Sequence, residues 1–263
     1  MKLLEIIILA VVQGLTEFLP VSSSGHLVTV AAIMQALGRT PPQDLAEVNV
    51  VLHLGTLLSV IVFFRRRIAR LLGEDRRVIP LLIVGTLPLV VVGLTLKAFA
   101  PEALEDPLLA GLMFPLTGVL LIWASRLKPG EAYYADLNYR EVILIGLLQA
   151  VAALPGISRS GATISAGLVV GLRRDNAATF AFLLAIPAIC GAGVLESVHV
   201  LQQAGFSTPV GTLLIGAFVS FAVGLCALSW LVRLVERGRL AMFAYWLIPL
   251  GFAVTAWQLL AES

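Results

Sequence analysis

Charged residues are scarce in this chain, and their scarcity limits the kind of protein it can be. Asp, Glu, Lys and Arg make up 13% of the 263 residues, while 59% are hydrophobic and the mean hydropathy is +0.98. This composition excludes a soluble globular domain and predicts an integral membrane protein. The net charge of only +2, with basic residues spread over many loops, also argues against a nucleic-acid partner.

Cysteine and histidine are rare as well. Cys190 and Cys226 lie in separate apolar segments, where we expect inert packing side chains that say nothing about redox compartment. His53 also lies in an apolar segment and is expected to pack there, with Asn49 one turn earlier as a candidate cavity-lining residue. His26 lies instead in a polar segment and is a candidate for a chemical role.

Long apolar stretches dominate the remaining sequence. Six of them approach the roughly 20 residues that a helix needs to cross a bilayer. They cover approximately residues 48–64, 79–99, 108–125, 177–199, 210–231 and 241–260. We therefore predict an all-α polytopic membrane protein in which residues 1–263 form a single membrane domain.

A polar phrase occurs twice among these apolar stretches. The first copy, QGLTEFLPVSSSGH, begins at Gln13, and the second, QAVAALPGISRSGAT, begins at Gln149. The apolar segments on either side of each copy are short and interrupted by Pro and Gly. Such segments in matching positions of two halves predict re-entrant helix hairpins around a central site. An ordinary pair of crossing helices is the alternative.

Each half of the chain then contains one hairpin and three transmembrane helices. Because three is odd and a hairpin adds zero or two crossings, the second half must run through the membrane in the opposite direction. We therefore predict two inverted-topology repeats, at about residues 1–130 and 138–263.

The basic residues support this topology. If the loop after the first crossing helix is cytoplasmic, 14 of the 18 Lys and Arg residues lie on that side, as the positive-inside rule requires. Lys2, Arg39 and Lys97 lie on the other side, and Arg159 lies within the second phrase. Both termini are then extracytoplasmic, and the two hairpins approach each other from opposite faces of the membrane, in an inner-membrane layout.

The first phrase carries an acid, hydroxyls and a histidine. Gln13 and Glu17 share a helix face, where they could bind a divalent cation or position a base. His26 could carry a proton, attack phosphorus itself or activate Ser23. The tip between them would present backbone N–H groups and the helix dipole to an anion, and it consists of Ser22, Ser23, Ser24 and Gly25.

The second phrase adds a permanent cation. The planar fork of Arg159 matches a phosphate group, and its neighbours Ser158, Ser160, Gly161 and Thr163 add hydroxyl and N–H donors. An ion pair between Arg159 and Glu17 that merely fixes the two repeats is the alternative. Together the phrases suit phosphoryl transfer on a lipid-linked phosphate.

These motifs closely resemble those of the bacterial undecaprenyl-pyrophosphate phosphatases of the bacitracin-resistance type, over essentially the full length. The resemblance implies a plasma-membrane hydrolase that converts undecaprenyl pyrophosphate to the phosphate, recycling the carrier lipid for peptidoglycan synthesis. It also implies a divalent cation, commonly Mg²⁺, and a site open to the outer face. The residues it carries over are Glu17, Ser23, His26, Ser158, Arg159 and Thr163, with Gln13 and Ser22 in support.

The resemblance leaves several alternatives open. Many relatives have Glu at the position of Gln13, so a metal site formed by two carboxylates is weakened in this chain. Ser23, with His26 as its base or acid, competes with His26 as the nucleophile. A transporter or flippase for a phosphorylated lipid is the rival function, because inverted repeats with broken helices are typical of transporters. The sequence also leaves a homodimer open.

Overall fold

The structure is a computed structural model that describes residues 3–36, 45–202 and 208–261. These residues form eleven α-helices, some short 3₁₀ turns and no β-strand. The helices are α1 (Leu3–Thr16), α2 (Ser23–Ala36), α3 (Leu45–Phe63), α4 (Arg65–Leu71), α5 (Val78–Phe99), α6 (Pro107–Arg126), α7 (Tyr139–Val151), α8 (Arg159–Val169), α9 (Arg174–Gln202), α10 (Val210–Glu236) and α11 (Ala244–Ala261).

Five helices of the described residues are long and apolar enough to cross a membrane, and α3 with α4 makes a sixth candidate that is bent by 76°. This confirms the predicted all-α polytopic membrane protein. Large apolar side chains cover the outer surface, as lipid contact requires. Cys190 and Cys226 are free and exposed on α9 and α10, so they are not the packing side chains that we expected.

The two polar phrases form helix hairpins. Helices α1 and α2 have 14 residues each, and α7 and α8 have 13 and 11. At 1.5 Å per residue none exceeds about 21 Å, which is too short for a hydrocarbon core of about 30 Å. The second hairpin starts and ends on the same face of the protein, since Ala132 pairs with the backbone around Leu172 and Arg77 donates to the Leu137 carbonyl oxygen. It therefore returns to the face at which it begins, and its insertion into the membrane as a re-entrant hairpin stays a prediction.

The basic loops gather on this same face. The Tyr134 hydroxyl donates to Asp75 at 2.7 Å, and the Arg67 guanidinium lies 5.8 Å from the centre of the Tyr134 ring. Burial, followed by the hydrogen bond to Asp75, raises the pKa of Tyr134. The prediction that this face is cytoplasmic rests on the charge distribution alone, and two residues used in that argument, Lys2 and Arg39, lie outside the described residues.

Helix pairing brings the two hairpins together. Helix α1 packs against α10, and α7 packs against α5, while α3 contacts α9 and α6 runs along α11. Glycines permit the closest approaches: a Cβ on Gly55 would lie 2.4 Å from the Ala217 carbonyl oxygen of α10. The first helix of each hairpin thus packs against a helix of the other half of the chain, which is what a duplicated chain would produce. The inverted repeats at 1–130 and 138–263 stay a prediction.

Candidate active site

The tips of the two hairpins have the same local geometry. In the first, the Ser22 hydroxyl oxygen accepts from the Gly25 N–H at 3.3 Å; in the second, the Ser158 hydroxyl oxygen accepts from the Gly161 N–H at 3.1 Å. Each serine thus caps the N-terminus of the following helix, as a serine before a helix commonly does. Each is also paired with a second hydroxyl, that of Ser24 at 3.3 Å or Ser160 at 3.2 Å.

The tips touch each other directly. The Ser22 hydroxyl oxygen also accepts from the Gly156 N–H at 3.0 Å, which joins the two phrases across the protein. Ser22 and Gly156 both have positive φ, 65° and 90°, a conformation that costs a serine more than a glycine. On α6, the Thr117 hydroxyl donates to the Gly156 carbonyl oxygen at 2.8 Å and fixes the second tip. The predicted meeting of the hairpins is therefore observed.

Gly25 allows this contact, and replacing it with alanine should disrupt it. A Cβ at Gly25 would lie 2.6 Å from the Gly156 nitrogen, so one of the two backbones would have to move. We expect Gly25→Ala to lower stability by about 1–3 kcal/mol, as measured by thermal unfolding in detergent. Gly93→Ala is the control, since its Cβ would meet no atom within 4 Å. Equal melting temperatures for both variants would contradict the close contact.

Glu17 lies at the centre of the polar side chains. One carboxylate oxygen pairs with the Arg159 guanidinium from the other hairpin. The other oxygen accepts from the Gln13 amide at 3.0 Å and from the Ser23 hydroxyl at 3.1 Å. The Glu17 side chain is 2% exposed and the Arg159 side chain 24% exposed, so the carboxylate is buried while the guanidinium retains an open side. The ion pair expected as an alternative to phosphate binding is thus present.

His26 is turned away from this carboxylate cluster. Its Nδ1 lies 2.8 Å from the Ser22 carbonyl oxygen, and its Nε2 accepts from the Trp246 indole N–H at 3.0 Å. The His26 ring lies nearly parallel to the Trp246 ring, with 6.2 Å between their centres, and meets Phe114 in an edge-on contact. Among the described residues no hydrogen bond joins His26 to Ser23, so Ser23 is oriented by Glu17.

Comparison with known proteins places the chain in a family. Residues 6–253 match the family model described as bacitracin resistance protein BacA. The chain belongs to the BacA family. It is 50% identical over 254 residues to the undecaprenyl-diphosphatase of Rhodopirellula baltica, covering 96% of this chain and 97% of that protein. It is 38% identical to undecaprenyl-diphosphatase 4 of a Bacillus cereus strain, and the match covers 98% of each protein. It is 37% identical to the undecaprenyl-diphosphatase of Korarchaeum cryptofilum, and that match covers 97% of this chain and 98% of that protein.

The metal site predicted at Gln13 and Glu17 does not fit the observed donors in this BacA chain. Gln13 turns its NH₂ group, not its oxygen, towards Glu17, and both Glu17 oxygens already accept hydrogen bonds. The buried Gln13 amide oxygen has no hydrogen-bond partner within the described part of the chain. In the same part, no group of three His, Cys, Asp or Glu side chains could hold a metal ion. Gln13 and Glu17 therefore offer a cation one free oxygen atom, and they do not form a site with two carboxylates around the ion.

Several hydroxyls predicted to bind substrate are bonded within the protein. The Thr163 hydroxyl donates to the Arg159 carbonyl oxygen at 2.8 Å, one turn earlier on α8. Ser158 caps α8, and its N–H donates to the Thr117 hydroxyl at 3.2 Å. Ser158, Ser160 and Thr163 are buried, whereas Ser24 is exposed. The buried hydroxyls hold the helix turn that carries Arg159 in place.

Three residues at the site lie outside the two phrases. His53 of α3 has its Nε2 3.7 Å from the Glu17 carboxylate, although we expected it to be a packing residue. Trp246 of α11 and Thr117 of α6 hydrogen-bond to the tips. An ionisable side chain halfway along an apolar helix is a signal that could have identified His53. Trp246 and Thr117 carry no such signal.

A narrow cavity of about 80 Å³ lies beside the first hairpin. Its walls come from α1, α2 and α3, and all but two of its lining side chains are apolar. The polar exceptions are Gln13, which contacts Glu17, and Asn49, as predicted for this residue. The lining residues are Leu9, Gln13, Leu27, Val30, Ala31, Met34, Val48, Asn49 and Leu52. The cavity thus has mostly apolar walls and reaches the polar cluster at Gln13.

Proposed function

We propose that this BacA-family protein is a membrane phosphatase that hydrolyses undecaprenyl pyrophosphate to undecaprenyl phosphate and inorganic phosphate. The observation that carries the proposal is the junction of the two hairpins, which brings Glu17, Ser23 and Arg159 together from opposite halves of the chain. The relatives reported above are named for this activity. The product recycles the carrier lipid for peptidoglycan synthesis, and the family is described by bacitracin resistance.

Arg159 would bind the pyrophosphate. Its guanidinium has five N–H donors in a planar fork that suits two phosphate oxygens, and one of its terminal nitrogens pairs with Glu17. Its side chain is 24% exposed, so a phosphate has access to the remaining donors. The ion pair with Glu17 would hold the fork in position before the substrate binds.

Ser23 would be the nucleophile, with Glu17 as the base that accepts its proton. The Ser23 hydroxyl donates to the Glu17 carboxylate at 3.1 Å, which is the hydrogen bond that this step needs. The Ser23 oxygen would attack the terminal phosphorus, and the bond to the oxygen of the lipid phosphate would break. Water would then hydrolyse the phosphoserine and release inorganic phosphate. His26 as the nucleophile remains the competing proposal, and it requires the ring nitrogen to leave Trp246.

The cavity between α1, α2 and α3 would receive the first isoprene units of the lipid. Its walls are apolar, and Val30 at its edge is exposed to the surrounding lipid. A prenyl chain bound there would leave the pyrophosphate near Gln13 and Glu17. A purely polar substrate would gain nothing from such a surface.

The surroundings of the enzyme complete the proposal. The chain would be a multi-pass protein of the bacterial plasma membrane, with both termini extracytoplasmic and the site open to the outer face. A divalent cation, Mg²⁺ by preference, would be held mainly by the pyrophosphate oxygens, because Glu17 and Gln13 do not converge on a cation.

Phosphate release from undecaprenyl pyrophosphate in detergent tests the proposal. We expect the purified protein to release one phosphate per substrate, and a chelator of divalent cations to lower the rate. A lipid transporter or flippase, the rival function, would release none. The reported relatives are named as diphosphatases and therefore do not favour that rival. Absence of release by the folded protein, with Mg²⁺ present, would refute the phosphatase.

A further inference from the structure

The mechanism above leaves one ionisable side chain of the site without a role. His53 lies near the middle of α3, in an otherwise apolar stretch, and its side chain is 25% exposed. A polar side chain at this depth is costly in a membrane unless it has a partner or a function. Its nearest charged group is the Glu17 carboxylate, 3.7 Å from the His53 Nε2.

The hydrogen bond at the other ring nitrogen fixes the tautomer of His53. Nδ1 lies 2.8 Å from the Asn49 carbonyl oxygen one turn earlier on α3. A carbonyl oxygen can only accept a hydrogen bond, so Nδ1 carries the proton. In the neutral ring Nε2 therefore has a lone pair. This lone pair faces the carboxylate oxygen to which Ser23 donates, and without a proton between them the two atoms cannot form a hydrogen bond.

His26 has the same bond at Nδ1 but a different neighbour at Nε2. Its Nδ1 donates to the Ser22 carbonyl oxygen, also four residues earlier, which leaves the lone pair on Nε2. That lone pair accepts the Trp246 indole N–H at 3.0 Å. Of these two histidines, only His53 directs an unoccupied ring nitrogen at the carboxylate that orients Ser23.

We propose that His53 is the proton acceptor of the site, acting through Glu17. When the Ser23 oxygen forms its bond to phosphorus, its proton passes to Glu17 and then to the Nε2 of His53. The bond to the lipid phosphate oxygen breaks in the same step, and that oxygen keeps the electron pair. The result is an imidazolium ion beside a carboxylate, which can contact each other directly. His53 returns the proton when the phosphoserine is hydrolysed.

The surroundings of His53 suit this role. Among the described residues, Glu17, just after α1, is the charged group within 4 Å of His53, and Arg159 of α8 pairs with the other oxygen of that carboxylate. Helix α10, which packs along α3, has no Asp, Glu, Lys or Arg between Val210 and Leu231. The Glu17 carboxylate thus stabilises the imidazolium.

Two variants of His53 test this inference, which rests on the proposed phosphatase activity. His53→Gln keeps a polar group of similar length but accepts no proton, so we expect kcat to fall about 100-fold while KM changes little. His53→Ala should lose a similar factor and regain at least about tenfold when imidazole is added, because free imidazole can take the proton. Leu54→Ala, at the neighbouring exposed position of α3, is the control for expression and folding.

The outcomes separate this inference from the proposed function. Wild-type protein that releases no phosphate refutes the phosphatase itself. With an active wild type, a kcat of His53→Gln within about threefold of it overturns the role of His53. A loss of kcat in both variants that imidazole does not reverse also overturns it, since a structural histidine would behave in that way. Loss in both variants with recovery in imidazole supports it.

Discussion

Arg159→Lys is expected to lower kcat/KM for undecaprenyl pyrophosphate by about 100-fold or more, although the charge is conserved. A lysine ammonium is a point charge and cannot form two parallel hydrogen bonds to a phosphate. It also cannot keep both the Glu17 contact and the phosphate contact in the same geometry. Loss of one preorganised donor in an active site commonly costs 10²–10³-fold in rate, about 3–4 kcal/mol.

The control for this variant is Arg140→Lys. Arg140 is an exposed residue at the start of α7, in the same hairpin, and a lysine there should leave the rate unchanged. Steady-state phosphate release by both variants, each checked for a normal thermal transition, gives the comparison. If Arg159→Lys turned over at the wild-type rate, Arg159 would not be the pyrophosphate clamp and the ion pair with Glu17 would be its whole role.

Glu17→Gln should have an even larger effect, because this one change removes three functions. The amide cannot accept the Ser23 proton, cannot pass it to His53 and leaves Arg159 without its counter-ion. We expect phosphate release to fall at least about 10³-fold, as the loss of a general base and of the preorganised clamp combine. Breaking a buried ion pair also costs about 3 kcal/mol of stability.

Glu74→Gln provides the matched control, since Glu74 is exposed in the loop after α4. Phosphate release and the thermal midpoint should be measured on both variants, because the two effects of Glu17→Gln are separable. A protein that melts earlier but keeps its rate would show that Glu17 only joins the hairpins. A protein that keeps both would contradict the central position of the carboxylate.

Much of the fold followed from the sequence because the bilayer leaves few alternatives. Backbone groups in hydrocarbon must bond to each other, so apolar runs of about 20 residues form helices. The predicted span at 79–99 corresponds to helix α5, Val78–Phe99, within one residue. The repeated phrases indicated the hairpins for the same reason, since Pro and Gly between short apolar segments are tolerated only where the protein buries them.

The sequence was less informative about hydrogen bonding within the site. Gln13 and Glu17 were correctly expected to contact each other, although Glu17 lies just after the end of α1, but the pattern cannot tell which end of the amide meets the carboxylate. The structure shows the NH₂ group there, which weakens the predicted cation site. His26 was expected beside Ser23, and α11 turns it instead towards Trp246. Such orientations depend on neighbouring helices that are remote in the chain.

The sequence by itself therefore determined the membrane class, the helix spans and the set of polar side chains that the membrane would not tolerate without a role. Only the tertiary structure decided how these side chains pair. It joined Ser22 to Gly156 and Glu17 to Arg159, and it brought His53 from α3 to the carboxylate. Hydropathy acts over a whole segment and can be read locally, whereas a hydrogen bond requires two atoms within about 3 Å, which only the packing of distant helices sets.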